Sequence, residues 1–110
     1  MNALQDMRKD VVALARRLSE RGAVKVILFG SLVNSKRQPG VDSDVDLVVV
    51  MPGVEQQPFH QRLADLPEVA NFPHPLDLLV YSPDEWERVS RRSFFRHEVL
   101  GKGIVLFERN

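Results

Sequence analysis

Asp42, Asp44 and Asp46 alternate with Ser43 and Val45 just before the apolar run Leu47-Val-Val-Val-Met51. On a strand, period-two spacing turns all three carboxylates to one face. Like charges side by side repel, and at the mouth of an apolar strand they also lose hydration, so a bound cation is the economical reason to gather them. A calcium loop of the EF-hand kind needs Gly at its sixth position and Glu at its twelfth; counted from Asp42 those positions hold Leu47 and Gly53. No Gly-Lys-Ser/Thr follows a glycine-rich turn, which excludes a P-loop. With no cysteine in the chain, any metal is held by carboxylate oxygens or by His60, His74 or His97.

A second group is Gly30-Ser31, directly after the β-branched run Val24-Lys-Val-Ile-Leu-Phe29 and before what starts as a short helix. The free N–H groups of a helix N-terminus and the bare glycine backbone suit a phosphate. Taken alone, the dipeptide is a weak signal and reads first as an ordinary capping turn.

These residues must be positioned by elements that the pattern predicts. Leu4, Met7, Val11, Leu14, Ala15 and Leu18 form one stripe of a helix over 3–20, stopped at Arg21-Gly22. Val24–Phe29 is a buried strand, 32–41 a surface loop, and the segment from Asp42 to Met51 a strand that begins at a cleft and ends in the core. Gln57 to Asn71 reads as a helix through Phe59, Leu63, Leu66 and Val69, interrupted or restarted at Pro67. Leu76–Tyr81 is a third strand, and Ser82-Pro-Asp-Glu85 carries the cap, proline and acids of a helix start. That helix bears Trp86 and Val89, breaks near Ser93, and continues with Phe94, Phe95 and Leu100. Gly101-Lys-Gly103 ends it before a last strand, Ile104–Glu108. The expected architecture is α/β (α+β): one domain over 1–110, with a small mixed sheet and helices packed on it.

Composition narrows the function classes. Fifteen Lys+Arg balance fifteen Asp+Glu in 110 residues, which argues against a surface that holds long nucleic acid by phosphate neutralisation. The longest apolar run is far short of the roughly 20 residues that span a bilayer, and the charged opening Met1–Asp10 is unlike a secretory signal, so a cytoplasmic location is expected.

Phe29-Gly-Ser31, twelve residues, then Asp44-Val-Asp-Leu47 resembles the signature of the nucleotidyltransferase superfamily typified by DNA polymerase beta. The chain is most similar to its small stand-alone members, the minimal nucleotidyltransferase (MNT) domains. Asp77 in Pro75-Leu-Asp-Leu-Leu-Val80 fits the family's third carboxylate, and Glu98–Glu108 its closing turn and strand. The resemblance implies a polymerase beta palm-like fold, with Asp44, Asp46 and Asp77 as catalytic and metal-binding residues for one or two Mg²⁺ ions. Asp77 would lie on the acceptor side, and Gly30 and Ser31 would hold the phosphates of the nucleoside triphosphate. Two such ions stabilise both attacking and leaving oxygens of an in-line phosphoryl displacement.

The activity so implied is transfer of a nucleoside monophosphate, AMP from ATP, to a hydroxyl of a partner protein. The expected partner is a HEPN-type helical protein, as in toxin and antitoxin pairs. The alternatives are a non-catalytic antitoxin that neutralises such a partner by docking, or transfer to an RNA end or a small-molecule hydroxyl. Oligomerisation is left open. Asp42 reads as a turn-initiating residue supported by Ser43, and Lys36 and Arg37 as a solvated loop tip; Leu32-Val33 stands where several family members have a basic residue. Arg88, Arg91, Arg92, Arg96 and His97 read as an exposed basic face interleaved with core aromatics rather than a dedicated RNA or partner surface, and His60 and His74 as surface or turn residues.

Overall fold

The computed structural model describes residues 3–33 and 44–109. Helix α1 (Ala3–Glu20) is followed by β1 (Lys25–Phe29), β2 (Val45–Val50), the single-turn helix α2 (Pro67–Ala70), β3 (Leu76–Tyr81), α3 (Pro83–Val89) and β4 (Ile104–Glu108). The sheet order is β3-β2-β1-β4; β2 and β3 are parallel and the other pairs antiparallel, so the expected mixed sheet is present.

The α1 stripe forms as its periodicity requires. Met7, Val11, Leu14, Ala15 and Leu18 are buried against Val26, Leu28, Val45, Leu47 and Val49 on one sheet face. Ile27, Phe29, Val48 and Val50 line the opposite face and pack under Trp86 and Val99. β2 is thus covered on both sides, which explains its continuous apolar run.

Helix α3 starts with a reciprocal capping box. The Glu85 N–H donates to Ser82 Oγ at 3.2 Å, and the Ser82 N–H donates to Glu85 Oε1 at 2.8 Å. The expected break near Ser93 falls at Ser90–Arg92, and the chain then winds as a π-helical turn over Phe95–Leu100.

The expected helix over 57–71 is not formed. Two isolated 3₁₀ turns, Val54–Gln56 and Phe59–Gln61, precede α2, because Pro58 and Pro67 lack the donors a continuous helix needs and Leu63 takes a φ of 64°. Arg62 secures the irregular segment instead. Its guanidinium donates to Gln57 O (3.1 Å), Val80 O (3.0 Å) and both oxygens of Glu85 (2.6 and 3.1 Å), strapping the segment across the outer edge of β3. Among the described residues no helix is long and apolar enough to cross a membrane.

Candidate functional site

The sheet brings the predicted residues to one place. Asp46 is the register partner of Phe29 on β1 and of Asp77 on β3, so the two carboxylates face the same way across neighbouring strands. Asp44 lies one residue before β2 and is exposed, as is Asp77, while Asp46 is half-buried. Asp42, Ser43, Lys36 and Arg37 lie outside the described residues.

Burial, then the charges of Asp77 and Asp44, push Asp46 up to about 6. Among the described residues none of the three carboxylates is paired with a lysine or arginine. The donor set is therefore a patch of uncompensated negative charge at the end of an apolar sheet, which fits a hard divalent cation. The carboxylates alone do not make a finished shell: among the described residues no three acidic or histidine side chains stand in a metal-holding arrangement. Mg²⁺ ordinarily completes such a site with water and substrate phosphate oxygens.

Gly30 follows Phe29 directly, with a φ of +82°. A Cβ at this position would collide with the Asp46 carboxylate, its Cγ only 3.1 Å away, so the backbone here passes as close to the acid as glycine permits. Gly30, Ser31 and Leu32 then form one 3₁₀ turn, closed by the Val33 N–H on Gly30 O at 3.1 Å. The described part of the expected short helix is this single turn, whose backbone N–H groups a phosphate here would meet.

A cavity of about 360 Å³ opens beside Asp77, at the outer edge of β3. Phe59, His60, Ala64 and Val69 from the strapped segment form one wall, and Leu76 and Leu78 the other. Arg62 shares this wall with its charge already matched by Glu85, whose carboxyl the guanidinium holds down to about 2. The role of Arg62 was not legible in the sequence, where a lone arginine in a polar stretch looks like a surface residue.

His74 is no free turn residue, since its Nε2 meets Asp10 Oδ2 at 2.7 Å and ties the entry to β3 to α1. Arg88, Arg91, Arg92, Arg96 and His97 lie on the outer side of the C-terminal helical region, as expected. The aromatics among them divide: Trp86 is buried, whereas Phe94, read as core, is 50% exposed. Phe94 sits edge-on to Phe29 with ring centres 6.2 Å apart.

Among curated proteins none matches the chain at a significant level. The fold is similar to that of a Sulfolobus solfataricus crystal structure provisionally described as a nucleotidyltransferase, with a TM-score of 0.65 and 18% identity over 97% of this chain and 85% of that one. The model of the nucleotidyltransferase domain family matches residues 11–102, which include both halves of the Gly-Ser and Asp-x-Asp motif and Asp77. A match over that much of its length means that the chain belongs to the nucleotidyltransferase domain family.

Proposed function

We propose that the chain is a metal-dependent nucleotidyltransferase that moves AMP from ATP onto a hydroxyl of a protein partner, a HEPN-type helical protein whose toxicity it restrains. The observation that carries this reading is Asp46 set opposite Asp77 across neighbouring strands and against the Gly30 backbone, its carboxyl raised to about 6 by burial and by the charges of Asp77 and Asp44. Asp44 and Asp46 would hold Mg²⁺, with Asp77 completing the acceptor side; the metal supplies charge compensation for the triphosphate and the leaving group.

The acceptor oxygen attacks the α-phosphorus as the bond from that phosphorus to the bridging oxygen of the β-phosphate breaks. Pyrophosphate leaves with the electron pair, and the acceptor proton passes to Asp77 or to water. Gly30 and Ser31 would present N–H groups to the β- and γ-phosphates, and the protein contributes positioning and electrostatics rather than a nucleophile. The cavity beside Asp77, about 360 Å³, has the size for one inserted side chain, and the arginine that lines it, Arg62, is already matched by Glu85, which favours a protein hydroxyl over a polynucleotide track.

Incubation with Mg²⁺, α-labelled ATP and a helical protein encoded beside this chain should transfer label, and Asp44→Asn/Asp46→Asn should reduce transfer more than a hundredfold. No label from any of the four nucleoside triphosphates, or undiminished transfer by the double variant, refutes the reading. A second reading, a docking antitoxin that binds nucleotide without turnover, uses the same carboxylates. Magnesium-dependent ATP binding with no label transfer would be its mark.

A further inference from the structure

A half-exposed ring at the rim of a carboxylate site has a cost and an opportunity. Phe94 precedes the π-helical turn Phe95–Leu100, which packs over the sheet face that carries Asp46. Phe29 and Phe95 meet the Phe94 ring edge-on, at 6.2 Å and 84° and at 5.1 Å and 88°, so both hold it in place while half of its surface stays open to solvent. A single exposed phenylalanine is common on protein surfaces. This one is distinguished by its support: Phe29 is the register partner of Asp46 and the residue before Gly30.

Phe94 therefore stands one ring contact away from the residue that pairs with Asp46 across neighbouring strands, on the sheet face that carries the acid. Arg92 and Arg96, both exposed, flank Phe94 in sequence. Aromatic stacking on a nucleobase contributes roughly 1–3 kcal/mol and is available to any base, with most overlap for purines.

We propose that Phe94 is the stacking platform for the base of the donor nucleotide. This rests on the reading of Asp44, Asp46 and Asp77 as the triphosphate end of the site. The ring fixes the base while the carboxylate end fixes the phosphates.

The test compares two ligands that share phosphates and differ in the base, MgATP and magnesium tripolyphosphate, by titration calorimetry. Phe94→Ala should weaken MgATP roughly tenfold, within the range set by one base stack, and leave tripolyphosphate within twofold. Phe94→Trp should bind MgATP at least as tightly as wild type. Leu100→Ala, which truncates the exposed residue at the other end of the same turn, should bind both ligands normally. Unchanged MgATP affinity in Phe94→Ala, or equal loss for both ligands, overturns the platform while leaving the carboxylate reading intact. Wild-type protein that binds neither ligand with Mg²⁺ overturns both.

Discussion

Gly30→Ala tests the close approach of backbone and acid on which the site depends. Two separate costs are expected. An L-residue at positive φ loses roughly 1–2 kcal/mol, partly offset by the lower entropy of the unfolded chain, for a net of about 1 kcal/mol. Gly53, with a φ of +88° and open space where a Cβ would stand, meets only this cost, so Gly53→Ala is the matched control. At Gly30 the new methyl also displaces the Asp46 carboxylate from its rotamer, adding about 1 kcal/mol. A chain of 110 residues has an unfolding entropy of about 0.23 kcal/mol/K. The melting temperature should therefore fall by about 4 °C in Gly53→Ala and about 9 °C in Gly30→Ala.

The excess belongs to one contact, so a double-mutant cycle isolates it. In an Asp46→Ala background, which keeps only the Cβ 3.3 Å from the new methyl, Gly30→Ala should lose most of its excess cost over Gly53→Ala. Scanning calorimetry on wild type and these variants gives the answer, and label transfer should be lost in Gly30→Ala but not in Gly53→Ala. Equal costs at the two glycines, or an additive cycle, would refute the argument that Asp46 and the Gly30 backbone occupy adjoining space.

Asp46→Asn should leave the metal-free protein as stable as wild type at pH 7 or raise its melting temperature by a few degrees, because the raised carboxyl marks an ionised form that the fold disfavours by about 1 kcal/mol after solvent screening; a clear destabilisation would assign Asp46 a structural role. Arg62→Met should cost about 2–3 kcal/mol, roughly 10 °C, since it leaves Glu85 without its partner and two carbonyls without a donor; a shift under about 2 °C would contradict the strap. Glu85 is depressed from 4.5 to about 2, so its contribution is complete above pH 4.5 and drains away as pH falls towards 2. Denaturant midpoints of wild type should drop through that window and those of Arg62→Met should stay flatter, whereas parallel curves would deny the pair its role. Ala64→Trp, on the wall of the cavity beside Asp77, should raise the acceptor KM at least tenfold while leaving MgATP affinity unchanged; unaltered acceptor kinetics would move the acceptor elsewhere.

The elements that the sequence predicted correctly are those whose signals are local. The α1 stripe, the four strands and the α3 cap each follow from spacing or capping chemistry within a short stretch of chain. The segment over 57–71 misled because its apolar residues do repeat at helical intervals, yet they face a sheet edge, and what holds them is a contact between Arg62 and Glu85, 23 positions apart. Asp44 and Asp46 were legible from their alternation, whereas Asp77 needed family resemblance, because one acid in an apolar strand has no partner along the chain. Phe94 shows the limit most plainly: read among the core aromatics of the basic stretch, it stands half exposed just before the π-helical turn, while its neighbour Phe95 packs inward.

β2 carries valine or leucine on both faces, so hydrophobicity does little to distinguish its native pairing from one displaced by a single residue. Asp46 is the exception among its six residues. A one-residue slip would drive that carboxylate into the layer beneath α1, among Met7, Leu14 and Leu18, where an unpaired charge is prohibitively costly. The acid read here as a metal ligand thus also acts as a checksum on strand alignment: any chain that has folded with β2 misaligned has put its chemistry on the wrong side and is rejected by its own core. Replacing Asp46 with valine would remove the checksum together with the ligand, and the resulting protein should be prone to mixed strand registers as well as inert.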